Sequence, residues 1–187
     1  MPRPAPLATL ALAFALGGCG SAPRSASALT GLPAYSPEES ALFDDVLAPP
    51  IFGLPGNLGP AEDPKLADRA RRADSIARVK VSTVTEESLA GVEGYTLQLT
   101  VEGGALSGHP EDPVEIRVSR TSPAFSFLSS ANEPLVGHRF LAFFRTYADR
   151  GEARLHFHGE KDDPAVRKAI AGAKGLDRAG TPGQTAP

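Results

Sequence analysis

The sequence predicts a mainly β (α+β) domain: a small, closed or partly open antiparallel barrel of five strands, with flanking helices. Three observations carry this. From Ala77 onward, apolar residues recur with period two in short runs. Helical patterns with capping residues stand before and after those runs. No internal repeat appears, and short strands flanked by helices suit a barrel.

The chain opens on a different kind of segment. Met1 to Pro4 carries one basic side chain, and Leu7 to Leu16 is apolar except for Thr9. Ten helical residues cover only about 15 Å, half of a bilayer core, so a cleaved export signal fits better than a membrane span. The flank Leu16-Gly17-Gly18-Cys19 resembles the bacterial lipobox, in which a Leu and two small residues precede a cysteine. That resemblance implies a bacterial lipoprotein. Its signal peptide, residues 1–18, is cut between Gly18 and Cys19. The Cys19 thiol then carries diacylglycerol, and the new amine usually carries a further acyl chain of the palmitate kind. An ordinary secretory signal with a chance cysteine is the plainer alternative. The spacing and the single cysteine of the chain favour the lipobox. The same cysteine count excludes disulfides, so the fold rests on a hydrophobic core.

Residues 19–35 read as the lipidated Cys19 and a flexible tether rich in Ser, Ala, Pro and Gly. Gly20 to Tyr35 would span on the order of 50 Å extended and roughly 20–25 Å as a coil. In well-known lipoprotein systems an Asp after the cysteine retains the protein at the inner membrane. Gly20 departs from that signal, so the resemblance implies the outer membrane, facing the periplasm. Removing Arg3 with the signal takes the formal charge from −3 to about −4. No basic stripe appears, which argues against nucleic acid and against charge-driven lipid binding.

Residues 36–72 read as helices and a Gly/Pro-rich loop packed on the barrel. Ser36-Pro37-Glu38-Glu39 has the capping-box pattern, and Leu42, Phe43, Val46 and Leu47 fall on one side of a helix ended by Pro49-Pro50. Ile51, Phe52, Leu54 and Leu58 stud the following loop. They either tuck under it or offer a sticky segment to a partner; scattered apolar residues need no partner. Asp63-Pro64 opens a second helix, to about Ala73, whose Arg69, Arg71 and Arg72 read as a solvated face.

Residues 73–176 carry the barrel and a final helix. Ala77, Val79, Val81 and Thr83 form one inward row. Tyr95, Leu97, Leu99 and Val101 form a second, and Val114, Ile116 and Val118 a third. Phe140, Ala142 and Phe144 oppose Leu141 and Phe143, so that strand is covered on both faces, with a helix suited to its outer side. Ala153, Leu155 and Phe157 supply the fifth strand. Asp163-Pro164 caps a helix with Val166, Ala169, Ile170 and Ala173 on one stripe and Gly175 placed to end it. Residues 177–187 read as a disordered tail.

Three stretches carry a further resemblance: Ala73 to Val79, Tyr95 to Val101, and Gly137-His138-Arg139-Phe140-Leu141. Their order is similar to exported OB-like barrels, including the netrin-like module of tissue inhibitors of metalloproteinases. It covers roughly Ala73 to Gly175. Those inhibitors bind a catalytic zinc through a free N-terminal cysteine amine on a disulfide-tied edge. An acylated Cys19 on a tether, without a disulfide, does not reproduce that mechanism.

For metal chemistry, His156 and His158 share one face of a strand, about 7 Å apart. His138, His109 or Glu160 would have to supply a third ligand. Arg154 continues the same row, which suits an exposed polar face instead. For nucleophilic catalysis there is no G-x-S-x-G elbow, and Ser129-Ser130 with Asn132 and Glu133 reads as a turn. Gly103-Gly104 lacks the Lys of a phosphate loop. Glu111-Asp112 and Asp162-Asp163 sit beside prolines at element starts. Phe125, Phe127 and Leu128 lie on a loop at the barrel end, where they either contact a partner or plug the barrel. The sequence therefore predicts a non-enzymatic, lipid-anchored binding or scaffolding module with no cofactor and an envelope protein partner. The alternatives are a metal site at His156 and His158, and a protease-inhibitor-like module acting through the Phe125 to Leu128 loop.

Overall fold

The computed structural model describes residues 29–56, 62–89, 92–130 and 135–179. The signal segment with Gly18, Cys19, Gly20, Leu58, Asn132, Glu133 and residues 180–187 lie outside the described residues, as does the side chain of Phe127. The elements are α1 (Pro37–Ser40), β1 (Val46–Leu47), a 3-10 turn (Pro49–Phe52), α2 (Leu66–Arg72), β2 (Ser75–Leu89), β3 (Val92–Ser107), β4 (Val114–Ser119), α3 (Pro123–Ser130), β5 (Arg139–Asp149), β6 (Glu152–Glu160) and α4 (Pro164–Ala179).

The fold is mainly β, a six-stranded mixed sheet in the order β1-β6-β5-β2-β3-β4. The sixth strand corrects the expected helix over Val46 and Leu47. Helix α1 stops at Ser40, and Asp45 adopts a φ of 53° that no helix accepts. Val46 and Leu47 then pair in parallel with His158 and Gly159. That pairing also bears on closure. Among the described residues no ladder joins β4 to β6, because β4 pairs with β3 alone and β1 occupies the outer edge of β6 at its C-terminal end.

Curvature comes from β2. It pairs with β3 along its length and with β5 over Ser75–Lys80, and its register to β3 slips three times. Such irregularities bend a strand and increase its twist. The slip between Val81 and Thr83 also shifts the inward row. Ala77, Val79 and Val81 are buried as expected, but Thr83 is exposed and Val84 packs on the core in its place.

The concave core draws on Leu97, Leu99, Ile116, Phe140, Phe144 and Phe157. The convex side of β5 presents Leu141, Phe143 and Tyr147, and α2, α4 and the Leu42–Phe43 corner cover them. Strand β5 is thus sandwiched, as its two apolar rows required. Val166, Ile170 and Ala173 are the buried stripe of α4, with Ala169 half-buried beside it. The Asp163 side chain accepts from Ala165 N at 2.7 Å and caps α4. The helix runs on through Gly175 to Ala179, because one glycine costs a helix only about 1 kcal/mol and good helix formers flank it.

Two local features position the 34–47 segment against the sheet. A Cβ on Gly159 would lie 2.7 Å from Leu47 Cδ2 and 3.2 Å from the Phe140 ring, so glycine lets β1 lie close on β6. The chain also docks before the expected boundary at Ser36. Ala34 bridges Ala148, and Tyr35 N donates to Ala148 O at 3.3 Å.

Candidate functional site

Alternation along β6 sends His156, His158 and Glu160 to one face and Phe157 to the other. That face is the convex one, under the 34–47 segment and α2, so all three residues are buried. The exposed polar face suggested by Arg154 is therefore corrected: Arg154 is exposed, but cover begins at His156. The two histidines do share a face, yet each has its own carboxylate. His156 Nδ1 lies 3.0 Å from Asp45 Oδ2, and His158 Nδ1 lies 2.7 Å from Asp44 Oδ1. An ionised carboxylate only accepts, so both Nδ1 atoms are donors. Neither Nε2 has a hydrogen-bond partner. The Tyr35 ring stacks on His156 at 3.6 Å, and its hydroxyl donates to Phe43 O at 2.5 Å. Of the other expected ligands, Glu160 joins this cluster. His109 is exposed in a different place, and His138 lies beside Phe52.

A second group lies alongside. Ser36 caps α1 as expected, accepting from Glu39 N at 3.3 Å. The Glu39 carboxylate turns inward, however. It accepts from Tyr147 Oη at 2.6 Å and from Arg72 at 2.5 Å, with Arg145 3.6 Å away. Arg69, read in sequence as part of a solvated cluster, is fully buried. Its Nε donates to Leu42 O at 2.7 Å and its guanidinium to Asp63 Oδ2 at 2.8 Å, over the Phe143 ring. Residue type alone gave no signal for this. The signal available was spacing: Leu66, Arg69 and Ala70 form the inward stripe of α2.

Burial opposes ionisation of Glu39, but the bonds from Tyr147 and Arg72 and the charge of Arg145 outweigh it and hold its carboxyl below the usual range. Burial likewise opposes ionisation of Asp63, and Arg69 with the Lys65 N–H prevails. Burial opposes protonation of His158, yet Asp44 and Glu160 raise its basicity. Burial, with nearby aspartates for Tyr35 and a bond to Glu39 for Tyr147, pushes both phenols up. These shifts set a pH response. The two carboxylates contribute stability that is present above 4.5 and lost as pH falls through their lower folded values. His158 has the opposite sign. Its contribution is complete below 6.5 and lost as pH rises through its higher folded value. Urea unfolding across the pH range is expected to show both flanks, and Glu39→Gln is expected to flatten the acid one.

The opposite side of the sheet holds a cleft of about 540 Å³ lined in part by β4 and β6, which no ladder joins among the described residues. Phe144, Val114 and Leu155 supply its apolar surface, and Asp74, Glu111 and Glu115 its acidic lining. Leu155 shares a face with Phe157 but lacks a covering strand, so it stays 38 % exposed. The other end of the core is stopped by α3, a helix where the sequence suggested a loop. Ala124 and Leu128, four residues apart, enter the core, and Phe125 packs on it against Tyr95 at 5.3 Å. Leu128 thus lies in the core and Phe125 packs against it.

No family model matches the chain, and no curated protein or solved structure matches it at a significant level.

Proposed function

We propose that this chain is a lipid-anchored cell-envelope protein. Its partly open, five-stranded OB-like barrel (β2 to β6) binds an extended segment of an envelope protein in the cleft between β4 and β6. The cleft carries the reading: an apolar floor of Phe144, Val114 and Leu155 under an acidic lining, between two strands that no ladder joins. An added strand can satisfy free sheet edges while its alternate side chains enter pockets, and acidic walls favour a segment with Lys or Arg. The lipobox and Gly20 support attachment through Cys19 to the outer membrane, facing the periplasm.

The test places a photo-crosslinking residue at His109, on the cleft wall, in the native envelope. The expected result is capture of one discrete partner. Leu155→Arg and Glu115→Lys each lower that capture about tenfold, as loss of a central interface side chain does. Lys168→Glu, on the exposed face of α4, leaves it unchanged. Capture that ignores the cleft variants overturns the reading.

A further inference from the structure

We propose that Asp63, His158 and Glu160 form a site for a divalent cation of the zinc class, with Asp44 orienting the histidine. One ligand atom from each of the three lies within 4.8 Å of the others. Zinc bonds of about 2.0–2.2 Å place tetrahedral donors about 3.3–3.6 Å apart, so closing on the ion takes side-chain movements of about 1–1.5 Å. Three protein ligands leave the fourth position to water or a ligand.

The histidine points to the cation. Its side chain is 8 % exposed, and its Nε2 has no hydrogen-bond partner. That atom lies 3.6 Å from Glu160 Oε2, too far for a hydrogen bond. Nδ1–H is committed to Asp44, which leaves the neutral ring with its lone pair on Nε2. A carboxylate behind the imidazole is the usual support of a metal-bound histidine. Glu160 is prepared in the same way. Lys161 N holds its Oε1 at 3.1 Å, and Oε2 is left to the cation.

The charges agree. Asp44, Asp63 and Glu160 bring three negative charges against the single guanidinium of Arg69. A divalent ion beside neutral His158 balances them, whereas a proton on His158 leaves one negative charge over. Arg69 shares Asp63 with the ion, and that neutralising excess is what offsets its repulsion. Asp63 is also the most exposed of the three ligands, and so marks the entry. His156 is not a ligand: its Nδ1 is on Asp45, its ring is under Tyr35, and its Nε2 faces Asp149 at 3.8 Å.

The test uses the full chain, purified in detergent and stripped of metal, titrated with Co²⁺ and then Zn²⁺. The expected results are a visible ligand-field band saturating at one equivalent of Co²⁺ and its loss on adding Zn²⁺. In histidine ¹⁵N spectra the ring of His158 shifts, and those of His109 and His138 do not. No band and no His158 shift up to millimolar metal overturns the proposal, as do shifts confined to other histidines. Asp44→Asn is expected to weaken binding about 10–100-fold. Glu160→Gln is expected to abolish it, and unchanged affinity in a folded Glu160→Gln chain overturns the site. If that variant does not fold, the wild-type His158 signal decides. Leu155→Arg keeps the metal spectrum, so the cleft and the metal site fail or stand separately.

Discussion

Arg69→Met is expected to destabilise the domain by about 3–5 kcal/mol, a large share of the roughly 5–15 kcal/mol that holds a domain folded. The guanidinium is buried, so its loss leaves the buried Leu42 carbonyl and the half-buried Asp63 carboxylate without their partner. Leu42 O loses its donor at 2.7 Å, and the Asp63 carboxylate loses the cation that keeps it ionised against burial. Leu42 belongs to the corner that carries Asp44 and Asp45 to the histidines, so the damage spreads into the buried network. Urea unfolding measures the loss. Arg71→Met, on the exposed side of the same helix, is expected to stay within about 0.5 kcal/mol. Adding Asp63→Leu to Arg69→Met is expected to recover part of the loss, since removing both charges costs less than removing one. Equal effects at Arg69 and Arg71 would show that the buried pair does not matter to the fold.

Arg69 also shows where sequence reading stops. Apolar periodicity located all five long strands, the cover on both faces of β5, and the stripe of α4, because those features depend on which residues avoid water. It missed β1. Val46 and Leu47 fit a helical stripe and a strand equally well over so short a run, and a positive φ at Asp45 decided between them. It placed Thr83 inward because a period-two pattern has no sign for a bulge that flips the row.

The candidate site was harder to read. His156 and His158 were visible as a pair, but the carboxylates that hold them are more than a hundred residues away in sequence. Nothing local in Asp44-Asp45 or Asp63 says that they face β6. Glu39 had an adequate local explanation as a capping residue, and that explanation hid its inward carboxylate. Long-range polar pairing has no period, so only the folded chain displays it.

On the lipobox reading, Cys19→Ser is expected to abolish lipid labelling and to release or mislocalise the protein, which no substitution in the domain would do. The mature charge of about −4 is repelled by anionic lipid, since the full chain carries −3 with Arg3 included. Among the described residues no helix is long and apolar enough to cross a bilayer. On that reading attachment rests on acyl chains at one thiol and its neighbouring amine. Each buried methylene contributes about 0.8 kcal/mol, so several chains together hold firmly where a single chain binds only reversibly. A serine hydroxyl cannot take the thioether, and both the lipid and the cleavage that follows it are lost together. The measurement is incorporation of labelled palmitate with fractionation of the envelope. Wild type is expected to be labelled and sedimented with the outer membrane. Cys19→Ser is expected to be unlabelled, larger by the uncleaved signal, and absent from that fraction. An unlabelled variant that stays in the outer membrane would mean that the domain binds the membrane by its own surface, and the cleft between β4 and β6 would then have to be reconsidered as a lipid-facing feature.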